Sequence, residues 1–143
     1  MNIAFFLIPK SDVAFLYDDY SLRQGLEKMK HHGYTAIPVI NKEGKYLNTI
    51  SEGDFLWHIL RDDDQELSEM PMQSLEDGSI RDLLADDKNP PVSITASPEK
   101  LLSRALEQNF IPVIDDSGSF IGIVTRRDIL KYFLEPCDCR KER

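Results

Sequence analysis

The chain has 143 residues and a formal net charge of −8, with 25 acidic side chains against 17 Lys and Arg. That length holds one domain or two small intimate ones. The charge excludes a broad nucleic-acid or anionic-membrane surface, which needs clustered cations to release counterions, so any anionic ligand must be held by a local basic spot.

The opening apolar run, within residues 1–10, is too short to span a bilayer, follows no charged segment and precedes no small-residue cleavage site; a cytoplasmic protein is expected. Residues 5–9 end at a proline and read as a lead-in packed on the core. Residues 13–17 (VAFLY) read as a short strand, broken by Asp18 and Asp19. From Ser21 the period becomes helical: Leu22, Leu26 and Met29 share one face, and Gly33 stands where a left-handed C-cap costs little. Residues 35–56 then give an apolar β-branched run, a turn ending in Gly44, a second β-branched run, and Ser51 three residues ahead of Asp54 before Phe55, Leu56, Ile59 and Leu60 at helical spacing. This is a hairpin followed by a capped helix.

Residues 61–78 are acidic, contain a proline and break the period; they are expected to be a solvated connector. Ser79 caps a short segment that residues 89–91 (NPP) stop. Residues 92–94 (VSI) match residues 13–15 at a displacement of 79 (92−13), and Ser97-Pro98-Glu99 opens a helix with the proline in its first turn. Residues 109–130 then repeat residues 35–56 at a displacement of 74: Pro112 on Pro38, Gly118 on Gly44, Thr125 on Ser51, Asp128 on Asp54. The two displacements imply that five residues have been lost in the second copy, inside its first helix and the exit from it. The last helix should end near Leu134, and residues 135–143 read as a charged tail in which Cys137 and Cys139 are reduced thiols without the further ligands a metal site needs. The chain is therefore a duplication, divided into residues 1–60, a connector at 61–78, residues 79–134 and a tail.

Two copies of strand, helix, hairpin and helix, each with an Ile-Pro-Val-Ile strand, a glycine turn and a closing hydroxyl-x-x-Asp, resemble a tandem pair of CBS domains. Residues 120–128 (FIGIVTRRD) fit the family's Gly-x-x-Thr-x-x-Asp signature, while the first copy has Asn48 in place of the glycine. A side chain at position 48 is expected to crowd the backbone or to demand a positive φ, making the two sites unequal. The resemblance implies an α/β fold of the α+β kind, with two pseudo-twofold-related motifs whose clefts bind adenine nucleotides. A free-standing pair resembles more narrowly the small bacterial CBS proteins, some of which bind cyclic di-AMP. It further implies a regulatory, non-catalytic module that binds cyclic di-AMP, AMP, ADP or ATP, forms a homodimer and signals to a protein target that the sequence does not identify. The competing reading is an interaction module with no physiological nucleotide.

In such a site, Val13, Ala14 and the run Tyr34, Thr35, Ala36, Ile37 and Pro38 would line a slot for the base, with Ile111 and Pro112 in the second copy. Ser51 and Asp54, and Thr125 and Asp128, would meet ribose, while Arg126 and Arg127 at a helix start would hold phosphate. Spacing alone favours a plain N-cap for both hydroxyl-x-x-Asp pairs, worth about 1 kcal/mol each. Tyr34 after a helix-ending glycine reads equally well as a packing residue, and one arginine could instead pair with an acidic residue of the connector. Because Glu52-Gly53 stands where the second copy has Arg126-Arg127, the anion is expected at the arginines. No cofactor or metal is expected, and no His or Cys has a partner that would make the chain an enzyme.

Overall fold

Each β-branched hairpin nucleates a small sheet, and the segments around it supply the helices. The computed structural model describes residues 2–61, 78–84 and 89–134. The connector before Gly78, the side chain of Ile59 and the tail carrying Cys137 and Cys139 lie outside the described residues. The architecture is α+β, with two small sheets of mixed strand direction.

The first hairpin joins β3 (Ala36–Ile40) to β4 (Tyr46–Ser51), with the short β2 (Leu16–Tyr17) parallel to β3. The second joins β6 (Phe110–Ile114) to β7 (Phe120–Thr125), with β5 (Val92–Ser93) parallel to β6 and β1 (Ile8–Pro9) antiparallel to β7. Ladder partners recur at the displacement of 74 (110−36): Ala36 faces Ser51 as Phe110 faces Thr125, and the register slips after Val39 as it does after Val113. The turns recur too. Asn41 Oδ1 accepts from the N–H groups of Glu43 (2.9 Å) and Lys45 (3.0 Å), and Asp115 Oδ1 accepts from those of Ser117 (2.9 Å) and Ser119 (3.0 Å).

Helix α1 (Leu22–His32) starts at a capping box of Ser21 and Gln24 and ends at Gly33, whose φ of 70° is the left-handed cap expected there. The helix after the first hairpin is α2 (Glu52–Arg61). In the second copy α3 (Pro98–Ala105) is capped by Ser97 and α4 (Arg126–Leu134) follows the hairpin.

Two expectations are corrected. The strand read over residues 13–17 shrinks to Leu16–Tyr17, because Val13 N–H closes a 3-10 turn onto Lys10 O (3.2 Å) and the chain extends only afterwards. The displacement of 79 also fails. Leu16 pairs with Val39 as Val92 pairs with Val113, so Val92 corresponds to Leu16 at 76 (92−16), as Ser97 does to Ser21 (97−21). Two residues, not five, separate this offset from that of the hairpins. Aligning valine on valine misplaced the strand; the residue that the register turns inward fixes it, and Leu16 and Val92 are both buried.

The chain divides into two compact units that do not follow the order of the repeat: Ala14–Lys88 forms one, and Met1–Val13 joins Asn89–Arg143 in the other. The core of the first unit holds Leu16, Leu22, Met29, Ile37, Val39, Ile50 and Phe55, and is completed by Ile80 and Leu83 from the 3-10 turn Ile80–Leu83. Backbone bonds fasten that turn: Ile80 N–H donates to Tyr20 O (2.8 Å) and Arg81 N–H to Asp18 O (2.9 Å). The core of the second unit holds Val92, Leu101, Ile111, Val113, Val124 and Ile129, and is completed by Ile3 and Phe6 at the very start of the chain. Each motif is thus closed by the lead-in that precedes the other motif in sequence. The lead-in at residues 2–9, which sequence assigns to the first motif, packs with the second.

This exchange explains position 48. Pro9 of β1 lies opposite Gly122, and a Cβ added at Gly122 would run into the carbonyl oxygen of Ile8 and lie 2.9 Å from Leu7 Cδ1. Glycine is required there by the approach of another backbone. On β4 no described strand covers the matching edge, so Asn48 fits, buried, with Oδ1 accepting from Thr49 N–H (2.8 Å). It does not demand a positive φ, since no non-glycine residue among those described has one.

Candidate functional site

The hydroxyl-x-x-Asp pairs lie where β4 and β7 run into α2 and α4, and the two copies use them differently. In the first, Asp54 Oδ2 accepts from both Ser51 N–H (2.8 Å) and Ser51 Oγ (3.2 Å), while Ser51 Oγ accepts from Asp54 N–H (3.3 Å). The carboxylate is spent on a reciprocal cap. In the second, Thr125 Oγ1 accepts from Asp128 N–H (3.2 Å), and the half-buried Asp128 carboxylate lines a cavity of about 350 Å³. The other walls of that cavity are residues 5–8 of the lead-in with Lys131 and Tyr132, which lie one helical turn beyond Asp128. Phe5, Phe6 and Tyr132 meet edge to face at 5.2 to 5.6 Å between centroids. The cavity offers an acceptor for hydroxyls, a cation for an anion and aromatic edges for a flat apolar group.

The paired arginines also part in role. Arg126 Nε donates to Ala105 O (2.7 Å) and its Nη1 to Asn109 Oδ1 (3.0 Å). α3 ends without a glycine, so this guanidinium satisfies a carbonyl of its last turn, as Gly33 lets the backbone do for α1. Arg127 is exposed at the start of α4. In the first copy Glu52 holds the position of Arg126, and Gly53 that of Arg127.

The remaining candidates fall at the same ends of the hairpins. In the first unit Ala14 is buried, and Thr35 is exposed with its carbonyl accepting from Glu52 N–H (3.0 Å). Ala36 faces Ser51 across the ladder, while Ile37 and Pro38 are buried, so those two offer a ligand little beyond backbone. Tyr34 is exposed beside His32 (5.4 Å between centroids) and lines an apolar groove of about 730 Å³ between α1 and α2, with Leu26, Met29, Phe55 and Leu56. In the second unit Val13 is half-buried, Ile111 and Pro112 are buried on β6, and Arg126 N–H donates to Asn109 O (2.8 Å).

Sequence reasoning missed residues 5–8, Lys131, Tyr132 and Asn109. The spacing of Asp128, Lys131 and Tyr132 on one helical face was a usable signal. The partnership of residues 5–8 with a helix more than a hundred positions later was not. Among the described residues no group of three or more His, Cys, Asp or Glu side chains could hold a metal ion, and no helix is long and apolar enough to cross a membrane.

The CBS domain family model matches the chain twice, over residues 7–61 and 80–135. The chain belongs to the CBS-domain family. Among solved structures it is similar to CbpB in complex with c-di-AMP, 27% identical with a TM-score of 0.81, covering 93% of this chain and 84% of that one. It is likewise similar to CbpB of Listeria monocytogenes in complex with c-di-AMP, 28% identical with a TM-score of 0.79, covering 92% of this chain and 93% of the other. The uncharacterized protein MJ1426 of Methanocaldococcus jannaschii is 27% identical over 141 residues, covering 81% of this chain and 83% of that protein.

Proposed function

We propose that the chain is a cytoplasmic regulatory CBS pair that binds an adenine nucleotide, cyclic di-AMP before AMP, ADP or ATP, and passes its bound state to a protein partner. The observation that carries this reading is the likeness, over 93% of the chain, to a CBS protein whose structure holds c-di-AMP. The open carboxylate of Asp128 supports it, because a ribose hydroxyl needs an acceptor that the fold has not already used.

In this reading the second motif is the stronger anion binder. Arg127, with the amides at the start of α4, receives phosphate, Arg126 holds the end of α3 beneath it, and Thr125 and Asp128 take the sugar. Ile111 and Pro112 supply backbone groups. The contacts offered by the first motif and the segment before it are Val13, Ala14, residues 34–38, Ser51 and Asp54, where Glu52 repels phosphate. Ligand acts by favouring one arrangement of the protein over another, which requires only differential affinity.

Isothermal titration against cyclic di-AMP, AMP, ADP and ATP tests the proposal. Binding of at least one is expected, weakened in the Arg127→Ala variant. Absence of binding to all four would leave the interaction-module reading, which the exposed Leu56, Trp57, Leu130 and Leu134 on the helices after the hairpins favour. In either case we propose a homodimer built on those helices, checked by light scattering during gel filtration.

A further inference from the structure

We propose that the lead-in at residues 2–9 is the element through which occupancy of the second motif is reported: a ligand seated on Asp128 and Lys131 also rests on residues 5–8, and so clamps the lead-in to the motif. The proposal rests on the nucleotide reading above and adds to it a moving part. Three observations carry it. The cavity has two walls of different origin, one from α4 and one from the lead-in, so whatever fills it contacts both. The lead-in is held lightly by its backbone: β1 is two residues long and pairs only Ile8 with Ile123 and Pro9 with Gly122. Its remaining hold is side-chain packing, with Ile3 fully enclosed, Phe6 nearly so, Leu7 against the same core, and Phe5, 53% exposed, edge to face with Phe6 and Tyr132.

A two-residue strand and a few apolar side chains form the kind of small cooperative unit that opens well below the global unfolding free energy. A ligand that touches the segment only when it is docked shifts that local equilibrium toward the docked form. By linkage, a change that loosens the lead-in weakens ligand binding only in proportion to the fraction of molecules it leaves undocked, and bound ligand in turn restores docking. Proline at position 9 and the glycine opposite it suit this behaviour, since neither adds a side-chain lock across the pair.

Hydrogen exchange read by mass spectrometry on the full chain, with cyclic di-AMP as the probe, tests the proposal. Slowed exchange is expected in peptides covering residues 3–9, where Phe5, Phe6 and Leu7 N–H groups bond to Asn2, Ile3 and Ala4 carbonyls, as well as around residues 125–132. Slowing at 125–132 with none at 3–9 would overturn the clamp and leave nucleotide binding standing. No slowing anywhere, together with no heat of binding, would bring down the nucleotide reading and the clamp with it. The Ile3→Ala variant provides the converse measurement, because Ile3 does not line the cavity. It should speed exchange at residues 3–9 in the free protein, and cyclic di-AMP should slow that exchange again; faster exchange that saturating cyclic di-AMP does not slow would overturn the proposal. Gly122→Ala repeats the test from the other strand.

Discussion

Single side chains show how far the two copies have diverged under one backbone. Gly122→Ala should destabilise the protein by about 1–3 kcal/mol, the usual cost of forcing a methyl into a filled space, because the carbonyl of Ile8 already occupies it. Asn48→Gly should cost about 1 kcal/mol, the net value of one hydrogen bond, and urea denaturation of the two variants compares them. Asp54→Ala should lower stability by about 1 kcal/mol through loss of its cap, whereas Asp128→Ala should leave the melting temperature nearly unchanged and weaken nucleotide binding roughly tenfold, as loss of a charge-assisted hydrogen bond does. Lys28 gives a pH signature. Burial lowers its pKa from 10.5, although its Nζ lies 5.2 Å from the ring centroid of Phe15, a contact that favours the charge. The folded state therefore releases this proton before the unfolded state does. The burial cost is present in full below the lowered folded pKa and disappears as pH climbs to 10.5, so stability should rise over that window and the rise should flatten in Lys28→Met.

At the level of elements, much of the fold could be read from the chain. Ser21, Ser97 and Pro98 marked helix starts, Gly33 marked a stop, and the hairpins kept register to the residue, because caps and turns are local chemistry. What could not be read were the two-residue strand β1, the bounds of β2 within residues 13–17 and its alignment with β5, all too short for alternation to show, and the contacts of the lead-ins, whose apolar residues carry no address. For the site, the hydroxyl-x-x-Asp pairs and the inequality of the two copies were legible, but not that Asp54 bonds within its own cap while Asp128 lines a cavity, nor that Arg126 bonds to Ala105 O, 21 positions away in sequence. The lead-ins supply a test at this scale. Ile80→Ala should cost about 2–5 kcal/mol, as large-to-small core changes do, and should speed hydrogen exchange in α1, which Ile80 helps to bury, rather than in α3, its neighbour in sequence.

For the whole molecule, the unit that was copied is not the unit that folds. A fragment of residues 1–61 contains one full repeat yet lacks Ile80 and Leu83 and carries Ile3 and Phe6 with nothing to bury them. A fragment of residues 14–88 contains every residue of one core. The second should melt cooperatively by circular dichroism and the first should not; the reverse result would mean that the lead-ins are dispensable. A lone repeat packed in the same way would have to close its interior with the opening residues of a second molecule, which would make its assembly depend on concentration. Two repeats in one polypeptide supply that arm from within the chain and replace a search through solution by a tethered one.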